Sequence, residues 1–250
     1  MVEDPYAGEE HYFSERPRVR SHPTELRFLY RGEMLSFQVD AGVFAGHGLD
    51  RGTELLIANM IVRPRDRVLD LGCGWGPVGV AAAKSASEGR VILTDVNRRA
   101  TLLARRNLER NAITNAEVRA GSLFAPVPEE RFDVIATNPP YHAGRALIVQ
   151  LLSEAPEHLE PGGRLALVGK GSQGIRFYQA WLEEHWPGSV EVVARGSGYR
   201  VLEAVVRGPA VTRAPAPLEG ASAARTERVA TKPATAARRG SAERPAPRSA

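Results

Sequence analysis

The chain has one cysteine, Cys73, in 250 residues, so no intramolecular disulfide can form and no cysteine cluster is offered to a metal. No apolar run approaches the ~18 residues that a membrane-spanning helix needs. The opening Met1-Val2-Glu3-Asp4-Pro5 is acidic and lacks the apolar core of a leader peptide. Both absences set the expectation of a cytoplasmic protein without a membrane partner. Aromatic residues make up only 6% of the chain, and residues 208–250 have none at all. That segment holds 13 Ala and 6 Pro, a composition unable to build a packed core, and is read as a disordered tail. It also carries 8 Lys or Arg against 3 Glu, which more than accounts for the whole chain's net charge of +4. Such a tail could neutralise RNA phosphates without reading sequence, or be a low-complexity extension with no role; composition leaves both open.

What is present is alternation. A β-hairpin is expected over Glu25–Tyr30 and Met34–Val39, turning at Arg31-Gly32. A helix over 51–60 follows, then strand 67–71, helix 77–86, strand 90–95, helix 98–110, and strands 117–120 and 132–137. Beyond these come helix 145–158, a Pro161-Gly162-Gly163 turn, strand 164–169, helix 175–185, and strands 190–195 and 199–206 joined by Gly196-Ser197-Gly198. Strands alternating with helices give an α/β fold with a mostly parallel sheet covered on both faces. The short last turn makes the final two strands antiparallel neighbours. No internal repeat is visible.

Three motifs sit at strand ends, where open α/β sheets bind ligands. The run Phe132–Thr137 stops at Asn138-Pro139-Pro140-Tyr141, because proline offers no N–H to a sheet and restricts the residue before it. Strand 67–71 carries Asp70 and runs into Gly72-Cys73-Gly74-Trp75-Gly76-Pro77, where glycines let backbone approach a ligand and Pro77 suits the first helical position. Gly74 to Gly79 also satisfies G-x-G-x-x-G, but the acid and the two residues before Gly74 depart from a dinucleotide fingerprint. Asp95 ends the next strand, where a carboxylate can accept from both hydroxyls of a ribose; Asn97 is placed to cap the helix after it. Cys73 reads as a small residue in a tight turn.

These residues resemble the class I S-adenosylmethionine-dependent methyltransferases, and in particular the small methyltransferase domain of the ribosomal RNA small subunit methyltransferase C type, which acts on guanine N2. The resemblance spans about residues 10–206. It rests on His11–Pro17, on Gly42-Val43-Phe44 with Leu49–Leu56, and on the core from Val68 to Val206. It implies a seven-stranded, doubly wound, Rossmann-like sheet in a domain over 49–207, preceded by an N-terminal extension with the hairpin over 1–48 and followed by the tail over 208–250. It implies S-adenosyl-L-methionine as cofactor, held by Asp70, Gly72, Gly74, Gly76, Asp95, Ser122 and Asn138, with no metal. It implies Asn138, Pro139 and Tyr141 as catalytic residues. Ser122 departs from the pattern, since the family usually places Asp or Asn there for the cofactor's adenine amine.

The partner implied is RNA, ribosomal or in the small subunit. An exocyclic base amine is a poor nucleophile because its lone pair is conjugated into the ring. Asn138 Oδ1 and the Pro139 carbonyl are acceptors for its hydrogens, and the Tyr141 ring is a face for the base. Orientation of this kind lowers barriers by about 7–11 kcal/mol, without metal or covalent intermediate. A paired base would first have to be flipped out. Asp50 and Thr53 either close over the methionine end of the cofactor or cap the helix that follows; His142 and Lys170 are candidate substrate and phosphate contacts or plain surface residues. A glutamine-N5 methyltransferase of release-factor type shares Asn-Pro-Pro-Tyr and faces the same conjugated-amide problem. A non-catalytic RNA-binding module is the remaining alternative.

Overall fold

The computed structural model describes residues 23–40, 43 and 48–208. The 11–17 stretch, Gly42, Phe44 and the tail from residue 209 lie outside the described residues. The hairpin is β1 (Thr24–Tyr30) and β2 (Glu33–Val39), paired antiparallel. Arg31 and Gly32 both take positive φ, 48° and 82°, the pair of values a tight two-residue hairpin turn requires.

Then come α1 (Arg51–Asn59), β3 (Arg67–Leu71), α2 (Pro77–Ser85), β4 (Arg90–Asp95), α3 (Arg98–Arg110), β5 (Ala116–Ala120) and β6 (Phe132–Thr137). The chain continues with α4 (Arg145–Glu154), β7 (Leu159–Lys170), α5 (Ile175–His185), β8 (Gly188–Gly196) and β9 (Tyr199–Val206). The main sheet runs β5-β4-β3-β6-β7-β9-β8, with only β9 antiparallel to its neighbours. This is the seven-stranded arrangement that the resemblance implies.

Side chains alternate across the sheet. Val68, Val91, Val134 and Val168 face one core, beneath α1–α3 and the hairpin. Leu69, Ile92, Ile135 and Leu167 face the other, beneath α4 and α5. Each such side chain, wholly buried, contributes about 1.5–3 kcal/mol.

The hairpin shares the first of these cores and is also tied by hydrogen bonds. Asn107 on α3 and Asn111, which caps the C-terminus of α3 one turn on, each bond the N–H and the carbonyl of a β2 residue. Asn107 takes Gln38 at 2.7 and 2.9 Å, and Asn111 takes Ser36 at 2.9 and 2.8 Å. Four helical residues advance about 6 Å and two strand residues about 6.8 Å, so the two amides stand in for a neighbouring strand. An edge that would otherwise be open is covered.

Two expectations need correction. The helix expected over 145–158 ends at Glu154 and tightens into a 3₁₀ turn over Ala155–His158, because Pro156 has no N–H to continue the α-helical ladder. The Pro161-Gly162-Gly163 turn does not precede β7 but bulges from within it. Leu159 pairs with Phe132 and Arg164 with Val134, so five residues of β7 advance against two of β6, and Gly162 takes φ +80°.

Candidate active site

After β3 the chain crosses to β4 and β5 on one side, then returns to β6 on the other. This reversal opens a crevice at the strands' C-terminal ends. An open cleft of about 910 Å³ lies there, lined by Gly72, Gly74, Asp95, Val96, Ser122, Thr137, Asn138 and Pro140 among others. A smaller adjoining pocket of about 350 Å³ is lined by Asp50, Thr53, Asp70, Gly72, Gly74 and Asn138.

The glycine loop is held by its own backbone and by two carboxylates. Thr94 O accepts from Gly72 N and Cys73 N, both at 2.9 Å. Asp95 takes Gly74 N–H on one oxygen and Asn97 N–H on the other, each at 2.8 Å, leaving lone pairs on both for a ligand. Asp70 takes Gly79 N–H at 2.7 Å. Burial pushes the Asp70 carboxyl up to about 7, against the pull of the Gly79 N–H and with help from the Asp95 charge. Burial likewise raises Asp95, and it lifts the Cys73 thiol well above its ordinary value, leaving it neutral.

Asn138 lies at the end of β6. Its Nδ2 faces Asp50 Oδ2 at 3.3 Å and Thr53 Oγ1 at 3.0 Å. A carboxylate can only accept, so the amide nitrogen must point toward Asp50. Thr53 Oγ1 donates to the same Asp50 oxygen, which fixes the direction of the whole chain of bonds. Among the described residues Oδ1 of Asn138 makes no hydrogen bond, and it is left as an acceptor beside the cleft. Asp50 also caps α1, taking Gly52 N–H at 2.9 Å and Thr53 N–H at 3.3 Å. Of the roles expected for Asp50 and Thr53 the structure shows the capping of α1, and it adds the orientation of Asn138, which sequence reasoning missed. Their 88 and 85 residues of separation from Asn138 left no signal for it.

Other candidates sit differently from their expected roles. Gly76 does not reach either pocket: a Cβ there would come within 3.3 Å of Ala104 and Leu93, so this glycine serves close packing of the loop on α3 and β4. Asp70 reaches only the smaller pocket and braces the loop from beneath. The Pro139 carbonyl accepts Tyr141 N–H at 2.9 Å and has one lone pair to spare. Tyr141 is turned away from the cleft. Its hydroxyl donates to Val168 O at 2.7 Å, in space that only a glycine at 169 leaves open, and its ring rests 5.7 Å from Tyr178. Burial raises its phenol, which stays protonated. His142 and Lys170 are exposed, and the Lys170 ammonium stands 5.7 Å from the Tyr199 ring.

The spare lone pairs of Asp95 on the cleft wall suit the hydroxyls of a nucleoside. A side chain at Gly72, φ +75°, would meet nothing within 4 Å and would project into open space, so the bare backbone leaves that volume to a ligand. Thr94, on the cleft wall, buries a hydroxyl with no partner among the described residues, a polar group that a ligand would satisfy.

Residues 34–203 match the methyltransferase small domain family. The chain belongs to that family. It is a methyltransferase that uses S-adenosyl-L-methionine. This methyltransferase is 35% identical over 198 residues to YbxB of Bacillus subtilis, across 78% of its own length and 98% of that protein's. It is 34% identical over 165 residues to the ribosomal RNA small subunit methyltransferase C of Haemophilus influenzae, across 64% of its own length and 48% of that enzyme's. The chain thus spans about half the length of the relatives of that name. Among solved structures it is similar to the T. thermophilus 16S rRNA N2 methyltransferase RsmC in complex with AdoMet and guanosine. The TM-score is 0.64 at 28% identity, covering 76% of this chain and 52% of that one.

Proposed function

We propose that this methyltransferase acts on an exocyclic base amine of RNA, the N2 amine of a guanine in small-subunit ribosomal RNA. The observation that carries the reading is the pinned Asn138 amide, which leaves Oδ1 as an acceptor where the strand ends meet the cleft. Support also comes from the relatives of methyltransferase C type and from the guanosine held by the similar T. thermophilus enzyme.

Gly72, Gly74, Asp95, Ser122 and Thr94 would hold the cofactor, which when bound supplies an electrophilic methyl on a positively charged sulfur. Asn138 Oδ1 accepts one N–H of the amine, and the free lone pair of the Pro139 carbonyl accepts the second. With both hydrogens held, the nitrogen lone pair turns out of conjugation toward the methyl. As the N–C bond forms from that lone pair, the carbon–sulfur bond would break with its electron pair going to sulfur, which would leave as a neutral thioether, and the cationic nitrogen then loses one proton. Such a nitrogen is acidic enough to give its proton to water, so no buried base is needed. Tyr141 acts through the loop: anchored on β7, it holds Asn138-Pro139-Pro140 at the sheet edge.

The test is transfer from methyl-labelled S-adenosyl-L-methionine to separate pools of free RNA, ribosomal subunits and protein, followed by digestion and mass identification. N2-methylguanine from RNA is the expected product. N5-methylglutamine in a protein would establish the release-factor type of substrate instead, and no product from any pool would favour a non-catalytic module.

A further inference from the structure

We infer that Phe177 and Arg145 form a docking platform for the nucleotide next to the target base. The inference rests on the RNA reading above and adds a binding surface to it. From Tyr141 a ladder of rings leads outward. Tyr178 is 5.7 Å from Tyr141 and Phe177 is 5.3 Å from Tyr178, the last pair edge to face. Tyr178 is buried, but Phe177 at the end of the ladder is 40% exposed, the one phenylalanine or tryptophan that is exposed among the described residues.

The Arg145 guanidinium stands over that ring, 4.4 Å from its centre. Among the described residues it has no carboxylate partner. The chain around it explains why: residues 138–153 and 161–182 contain no Asp or Glu, yet they supply Arg145, Lys170 and Arg176 besides the buried Arg164. An aromatic face with an unpaired guanidinium beside it is what single-stranded RNA uses: a base stacks on the ring or on the guanidinium plane, and the adjoining phosphate takes the charge. A protein partner would be expected to meet this edge with carboxylates alone and would leave the ring without a purpose. The distance from Tyr141, two ring-to-ring steps, is short enough for a neighbouring nucleotide to bridge once the target base is turned into the cleft.

The test uses the full chain, a single-stranded RNA oligonucleotide containing guanine as binding probe, and small-subunit ribosomal RNA as methyl acceptor. Phe177→Ala should weaken oligonucleotide binding and raise KM for RNA roughly tenfold, about 1.4 kcal/mol, while kcat stays near its original value. Phe177→Trp should restore both, which a merely structural role would not predict. Arg145→Ala should lower the slope of log affinity against log salt by about 1. S-adenosyl-L-methionine affinity should be unchanged in all three variants, because neither residue lines the cofactor cleft, and this shows that each variant is folded. Unchanged KM and salt slope in a chain that methylates RNA would overturn the platform and leave the proposed function standing. Methylation of protein and not of RNA by the unaltered chain would overturn both.

Discussion

Asn138 is a short polar side chain whose use depends on which end faces the cleft, and Asp50 with Thr53 settles the matter. Asn138→Ala should abolish turnover while S-adenosyl-L-methionine affinity stays within a few fold, because the lost bond is made chiefly near the transition state. Thr53→Val keeps the volume but removes one of the two partners that orient the amide. It should lower kcat roughly tenfold with little change in KM, which steady-state kinetics would show. Asp70 makes a different prediction. Its carboxyl is pushed up to about 7 by burial, whereas an unfolded aspartate titrates near 3.9. Between those values the folded chain holds a proton that the unfolded chain has released, so stability must fall as pH rises from about 4 to about 7. The loss is on the order of 4 kcal/mol. Asp70→Asn keeps an acceptor for Gly79 N–H and should flatten most of that slope in a series of melting curves.

Elements were more legible than their interruptions. The run Val68-Leu69-Asp70-Leu71 could be read as a strand and Arg98–Arg110 as a helix, because the apolar period is clear and Asn97 caps the start. Pro156 and the Pro161-Gly162-Gly163 bulge were misplaced for a common reason. Proline and glycine mark where regular structure is disturbed, but only the neighbouring strand decides whether the disturbance ends an element or loops out of it. At the cleft, the placement of Gly72, Gly74, Asp95 and Asn138 was legible because each ends or follows a strand. The roles of Gly76 and Tyr141 were not, since one depends on Ala104 and Leu93 and the other on Val168. Least legible of all was the clasp of Asn107 and Asn111 on β2, two asparagines in an otherwise ordinary amphipathic helix. Asn107 is wholly buried and also bonds Trp75 O at 2.8 Å, while Phe37 of β2 packs edge-on against the Trp75 ring. The hairpin therefore backs the glycine loop. Asn107→Ala should cost about 3 kcal/mol in denaturant unfolding, through stranded Gln38 and Trp75 backbone groups, and should weaken cofactor binding as well.

For the whole molecule, charge is distributed unevenly along the chain. The 8 Lys or Arg against 3 Glu of residues 208–250 exceed the net +4 of the full sequence. The folded part thus approaches neutrality, and its basic groups matter by position, as on the acid-free edge that carries Arg145 and Arg176. Removing residues 209–250 should leave a folded domain that still binds cofactor, because the described core is complete without them. RNA affinity of the shortened chain should be lower and should fall less steeply with salt than that of the full chain. Equal slopes would show that the tail takes no part in binding. No helix among the described residues is long and apolar enough to cross a membrane.

The amides of the glycine loop are already bonded within the protein: Gly72 and Cys73 to Thr94 O and Gly74 to Asp95. A loop so restrained has little freedom left to surrender when its ligand arrives. In the free protein these three N–H groups should exchange with deuterium nearly as slowly as those of β3 and β4, although they sit at the mouth of an open cleft. Cofactor association should then be a single fast phase, with no slower step reporting the ordering of a floppy segment. Rapid exchange at Gly74 before cofactor is added would mean that Asp95 does not hold the loop in advance.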